Sequence, residues 1–568
     1  MRRSGIVALL AVLPLAACTT TSPPPPKRAV MSLVAFDSCA QLEKELRKAA
    51  QDNQKRPLPD TARAPLAAEA APAQASVEAY SGTNVHEQGV DEPDMVKTDG
   101  RRIVTVSGGV LRVVDAASRT ETGSLALRPE LGGPGTLLLA GDRALVLMSP
   151  SVSLAMDERI GGPVGVGTEI LLVDLTGAPR LISRYRGDGR LVDARQNADV
   201  ARVVLSSTPQ IDSLLPTWDV TTGTSRTDGR LGCEQVSRPT GSPYSGTQLM
   251  RVLTFDLRAP RLDDGAPVGV LADGDVVYGT ANSLYVANNP GWRLNTMLNA
   301  AGVARQPMDA EIFKFDLPPA GKPVLAASGK VPGTLLNQYA LSEWDGHLRV
   351  ATTDSVKQSS AVRVLRQQDT KLTEVGEVGG LGENERIYSV RFIGPRAYVV
   401  TFRQTDPLYS LDLSDPSRPR VTGELKITGF SAHLQPVGEN RLVGIGQEAT
   451  TQGRATGMQV SLFDVTDPAA PARLAQHFVA GASSEAEYDP RALLWWPATN
   501  LLVVPLVGGA LALHVTADGL REAGQLVPPA HAVPRRTLVV GDVLWTVTDT
   551  GLLASRLSTL DRLAWLPV

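Results

Sequence analysis

One pattern governs what this chain can fold into: a polar turn followed by an alternating apolar strand, met nine times. The copies are DGRRIVTVS (99–107), GDRALVLMS (141–149), NADVARVVLSS (197–207), ANSLYVANN (281–289), DGHLRVATT (345–353), GPRAYVVTF (394–402), ENRLVGIG (439–446), ATNLLVVPL (498–506) and GDVLWTVTD (541–549). A second apolar strand follows each and closes in turn at Asp115, Asp174, Asp256, Asp316, Arg366, Asp412, Asp464, His514 and Arg556. A further strand usually comes next, as in RLISRYR (180–186) and VTGELKI (421–427). Period-two alternation makes these segments strands with buried faces. A small sheet repeated every ~50 residues cannot cover both of its faces alone, so neighbouring copies must cover them. Sheets stacked around a common axis, a β-propeller, meet that need and leave only short edges. The expectation is an all-β propeller of eight or nine four-stranded blades over residues 80–568. Nine exceeds the usual range, so one terminal unit is expected to be incomplete, or the two ends of the chain to share a blade.

The aspartates at the strand ends have a local explanation. A carboxylate there accepts hydrogen bonds from turn amides two residues on, and the continuations Asp412-Leu-Ser-Asp415-Pro416 and Asp464-Val-Thr-Asp467-Pro468 are turn sequences.

Ahead of the repeats, residues 1–17 read as a lipoprotein signal peptide. Two arginines precede an apolar run too short to stay in a bilayer as a helix, and Leu15-Ala16-Ala17-Cys18 places small residues before a lipid-accepting thiol. The mature chain is expected to begin at Cys18, lipid-anchored in a cell envelope. Thr19 stands where a retention signal would place Asp, which favours the outer membrane in a host with two membranes. Residues 18–36, with four consecutive prolines, read as an extended tether. A short helix is expected within 37–54, capped by Asp37 or Ser38, with Leu42, Leu46, Ala49 and Ala50 on one face. Residues 55–79 read as a Pro/Ala-rich linker. With Cys18 spent on lipid, Cys39 and Cys233 remain; in an exported chain the pair favours a disulfide over two separate buried thiols.

Several segments carry a more specific likeness: YSGTNVHEQGVDEPDMVKTDG (80–100), NQYALSEWDGHLRVATT (337–353), LGENERIYSVRFIGPRAYVVTFRQTDP (381–407), LDLSDPSRPRVTGELKITG (411–429) and VSLFD (460–464). Together they resemble the family of secreted bacterial and archaeal proteins with a C-terminal β-propeller domain, distantly similar to WD40 repeats. SCAQL (38–42) and GCEQVSRP (232–239) resemble that family's cysteine segments. The resemblance implies fold and export and supports the cysteine pairing; it implies no activity.

Chemistry is sparse. The net charge of −3, with acids and bases interspersed, gives no basis for nucleic-acid binding. C-x-x-C, H-E-x-x-H, G-x-S-x-G and phosphate-loop motifs are absent. The six histidines are scattered, and His86-Glu87 lacks the second histidine of a zinc helix. The densest acidic cluster is Asp91, Glu92, Asp94 and Asp99: a candidate for calcium, set against carboxylates that cap a turn or pair with Lys97, Arg101 and Arg102. No other cofactor is expected. Tyr388, Arg391, Arg403, Gln404 and Asp406 form a second polar group, read either as pairing between blades or as contact with an anionic ligand at the axial mouth. Two functions compete. One is a monomeric binding or scaffold module for an envelope protein or glycan. The other is an envelope hydrolase or lyase with its site at the axial mouth, betrayed by a deep pocket of convergent carboxylates, His or Arg.

Overall fold

The computed structural model describes residues 31–54, 80–127, 135–149, 167–240, 246–289, 309–319, 321–402, 406–450 and 452–568. The signal peptide, Cys18, most of the tether and the linker lie outside these residues. Among the described residues nine four-stranded units follow one another at 96–126, 135–188, 190–270, 276–332, 341–381, 386–427, 430–480, 494–526 and 534–567. Each of the nine turn-strand copies supplies the second strand of one blade, and each closing residue ends or nearly ends a third strand. The fourth and fifth blades are joined into one eight-stranded sheet by a parallel pairing of Ser328 with Lys371.

Two interactions recur because the sequence recurs. The amide just past the third strand donates to the carbonyl before or within the turn that opens the second, as in Leu175 to Asp142 (3.0 Å), Leu413 to Pro395 (2.8 Å), Val465 to Asn440 (2.9 Å) and Leu557 to Asp542 (2.8 Å). The strand-end aspartates accept from the turn amides: Thr176 to Asp174 (3.1 Å), Ser414 to Asp412 (3.0 Å) and Thr466 to Asp464 (2.9 Å). For Asp174, burial alone would raise the carboxyl; Thr176, Arg180 and Arg143 instead hold it at about 2.

Among the described residues the first and ninth units do not share a blade, and neither is incomplete. The first blade takes all four strands from 96–126 and the ninth all four from 534–567. Closure is made by side chains: Val96, Ile103 and Val114 of the first blade pack with Leu538, Val543 and Trp545 of the ninth in one buried cluster. Residue Tyr80 adds a bridge to Val540.

Residues 208–248, between the second and third strands of blade three, explain the longest gap between repeats. Their hairpin, Thr217–Thr222 with Ser225–Arg230, crosses to the fourth strand of blade two and extends that sheet. Their last strand, Val236–Thr240, returns to blade three and pairs with Ser32–Ala35. The end of the stretch expected to be tether is therefore a strand. The helix runs Cys39–Gln54, with Ser38 Oγ accepting from the Gln41 amide. Its Leu42 and Leu46 are buried against Leu215, Leu231, Val236 and Leu249, and Cys39 is disulfide-bonded to Cys233.

Candidate functional site

The centre of the ring is occupied by the chain itself. Tyr80 pairs at the end of the ninth blade's first strand and lies against Gly100, in the turn that ends the first strand of blade one. The segment between them enters and leaves on one face, and on the way it touches most of the ring. Ser81 exchanges hydrogen bonds with Val539 (2.9 and 2.8 Å). The Asn84 amide donates to Gln435 Oε1 of blade seven (3.2 Å) and to the Pro490 carbonyl ahead of blade eight (3.1 Å). Asp91 pairs through its backbone with Gln196 of blade three, and Asp94 with Leu137 of blade two. The family-like segment 80–100 thus supplies an axial plug as well as the start of the first blade.

The plug is acidic and the ring answers with cations. Arg536, at a bulge in the ninth blade's first strand, donates to Asp94 (2.9 and 3.2 Å), to Glu485 (3.0 Å) and to Asp489 (2.5 Å). Bulges re-aim side chains in this way. Arg491 clamps Asp489 (2.9 Å) and the Pro93 carbonyl (2.7 Å). Burial alone would raise the Asp489 carboxyl, but Arg491 and Arg536 hold it at about 2. Lys97, buried in the first strand of blade one, reaches Thr83 (2.6 Å), Asp91 (2.6 Å) and the Glu92 carbonyl (2.5 Å). Glu92 accepts from the His86 amide (3.1 Å) and from Gln338 (3.2 Å), 3.9 Å from Arg195.

His86 sits at the heart of this network. Its ring meets Tyr339 edge-on at 4.1 Å and Tyr278 at 5.1 Å. Nε2 lies 3.1 Å from the Leu341 carbonyl, which requires that nitrogen to carry the proton, while Nδ1 is buried without a partner. Burial first, then the Arg391 charge, push the imidazole well below its usual range, so it is neutral. Beside it, the Tyr278 hydroxyl donates to Glu87 (2.7 Å), whose carboxyl burial raises.

The residues singled out in the sequence separate in space. Asp91, Glu92 and Asp94 line the plug, each with its own protein partner. Asp99 is in the following turn, bound to the Arg101 and Arg102 amides (3.0 and 2.9 Å) and to the Arg102 guanidinium (3.0 Å). Among the described residues no three His, Cys, Asp or Glu side chains form a group that could hold a metal ion. Arg391 is buried on the first strand of blade six and faces the plug, its guanidinium 5.9 Å from the Tyr339 ring centroid. Tyr388 lies apart from it, packed on Phe402 and Phe430 and accepting from Arg386 (2.9 Å). Arg403, Gln404 and the Asp406 side chain lie outside the described residues. Arg195, Gln338, Asp489, Arg491 and Arg536 are site residues that sequence reasoning missed. For Arg195 and Arg536 the available signal was a charge on the first strand of a blade, as in Arg536 within PRRTLVV; Gln338, Asp489 and Arg491 lie in short 3-10 turns and carried no such signal.

The family model described as "Beta propeller domain" matches residues 80–560. An uncharacterised protein of Archaeoglobus fulgidus is 26% identical over 94% of both chains. The uncharacterised protein MJ1554 of Methanocaldococcus jannaschii is 39% identical over 33% of this chain and 30% of its own length. Among solved structures, apo AztD from Citrobacter koseri aligns with 82% of this chain and 94% of its own at 11% identity and a TM-score of 0.37. A putative 6-phosphogluconolactonase from Bacteroides uniformis aligns with 57% and 92% at 13% identity and a TM-score of 0.35.

Proposed function

The chain belongs to the β-propeller domain family, and from that premise we propose that it is a lipid-anchored cell-envelope protein whose ring is a binding or scaffold module for an envelope or extracellular partner. The observation that carries this reading is the axial plug. An enzyme built at the axial mouth needs acids, bases or arginines that converge on space for a substrate. Here His86, Glu87, Glu92, Asp94 and Arg536 converge on one another, and the chain's own residues 81–95 fill the place a substrate would take. What the ring offers outward is a rigid rim. The accessory elements sit there too: the helix Cys39–Gln54, tied by its disulfide, and the hairpin laid across blades two and three. Residues 1–30 supply the argument for the anchor: the signal sequence, Cys18 and the proline run lead directly into the strand Ser32–Ala35 on blade three.

The test is affinity capture from detergent-solubilised envelopes with the full-length, lipidated protein as bait and a Cys18→Ser form as control. The reading expects a reproducible envelope partner, protein or glycan, and loss of membrane association in the variant. Capture of nothing by folded, lipidated bait would overturn it.

A further inference from the structure

The inserted hairpin has two unlike faces. Its direct pairs are Trp218 with Gly229, Val220 with Thr227 and Thr222 with Ser225, so by alternation these six share one face. The other face carries the exposed Arg226 and Asp228 and the half-buried Asp219, with Asp219 and Arg226 3.6 Å apart. A hairpin that only completed a sheet would pack its inner face shut. This one is graded instead: Val220 is buried and Trp218 half-buried beside Leu262 and Phe255, while Thr222, Ser225 and Thr227 run toward an exposed tip.

Opposite stands the loop between the third and fourth strands of blade three. It carries Arg261, Asp263 and Asp264, and the space between hairpin and loop is about 240 Å³. The loop is fixed in place. The Leu262 amide donates to Ser183 Oγ of blade two (2.9 Å), and Asp263 and Asp264 each use Oδ1 on an amide two residues on (2.9 and 3.0 Å). The remaining groups are not spent on the protein. Among the described residues the Trp218 indole N–H, the hydroxyls of Thr222, Ser225 and Thr227, the Arg261 guanidinium and the second oxygen of each aspartate have no hydrogen-bond partner.

We propose that this cleft is a saccharide-binding site that seats one sugar residue of an envelope or extracellular glycan against Trp218. A pyranose ring has an apolar C–H face and a rim of hydroxyls that both donate and accept. The cleft offers an aromatic surface at its floor and fixed donors and acceptors on both walls, and its volume suits a single ring. Two carboxylates against one guanidinium disfavour a phosphate or another anion. Because both walls are held before binding, ordering them costs little. The proposal assigns a ligand class and a place to the binding module described above and rests on that reading.

The experiment is saturation-transfer NMR, followed by calorimetric titration, of the soluble chain without its first 18 residues. The probes are neutral and N-acetylated oligosaccharides: maltoheptaose, cellohexaose and chitopentaose. At least one is expected to bind. Trp218→Ala and the milder Asp263→Asn are each expected to weaken it by about tenfold or more, as the loss of a central contact does. Arg226→Ala, on the other face of the same hairpin, is expected to leave affinity unchanged. Binding by none of these sugars, or binding equal in wild type and both cleft variants, overturns the site. If envelope capture by the lipidated protein survives Trp218→Ala, the binding module stands and the cleft assignment falls.

Discussion

His86 is neutral at the centre of a cationic ring, and its position makes a pH dependence. Its ring faces Tyr278 and Tyr339, with Glu87 adjacent and the charges of Arg391, Arg195 and Arg349 around it. The folded value lies below the unfolded 6.5, so the unfolded chain takes up a proton first. The His86 contribution is therefore complete above pH ~6.5 and is lost as pH falls toward the folded value. Glu87, raised by burial, acts in the opposite sense, but it does so equally in a His86→Gln protein. The melting temperature of wild type minus that of His86→Gln is expected to shrink steadily from pH 7.5 to pH 5; a constant difference would contradict a neutral His86. Arg536 makes a second prediction. Among the described residues it is the ion-pair partner of the buried Asp94, whereas Asp489 keeps Arg491 and Glu485 keeps Arg535, so Arg536→Met leaves the Asp94 carboxylate buried without its cation. Uncompensated buried charge costs about 3–5 kcal/mol, to be read as a lower urea midpoint.

At the scale of the element, the repeat is written twice, once in turn chemistry and once in a close contact between blades. Gly423, in the fourth strand of blade six, faces the Asp467-Pro468 turn of blade seven; a Cβ there would lie 2.4 Å from the Pro468 carbonyl. Gly376 meets Pro416 of blade six at 2.3 Å in the same way. The Asp-Pro turns read from the sequence as punctuation are thus also the surface on which the preceding blade rests. Gly423→Ala is expected to destabilise by about 1–3 kcal/mol in chemical denaturation, because a carbonyl in a hydrogen-bonded turn cannot retreat. All nine second strands were legible in the sequence, since alternation and turn residues are local signals. The helix and its apolar face were legible for the same reason. The strand Ser32–Ala35 was not: its partner is Val236–Thr240, some 200 residues on, and nothing in the four residues SLVA distinguishes a strand from the end of a tether.

On the scale of the molecule, a ring without a shared strand depends on side-chain packing for its closure. Trp545, fully buried where the ninth blade meets the first, is the largest member of that seam. Trp545→Ala is expected to cost about 3–5 kcal/mol. It is also expected to raise amide exchange in Val96–Thr98 and Pro534–Val540 ahead of the other first strands; uniform change around the ring would place closure elsewhere. The chain's order of amino acids determined by itself the all-β class, the number of repeating units within one, the second and third strands of every blade, and the favoured pairing of Cys39 with Cys233. Only the tertiary structure decided that residues 81–95 fill the axis, that Asp94 belongs to Arg536, and that the acidic cluster faces cations of the protein. The reason is distance along the chain: strands and turns are set by neighbours a few residues apart, whereas Asn84 meets Pro490 and Asp94 meets Arg536 across 406 and 442 residues. No local pattern encodes such a meeting; it exists only once the ring has closed.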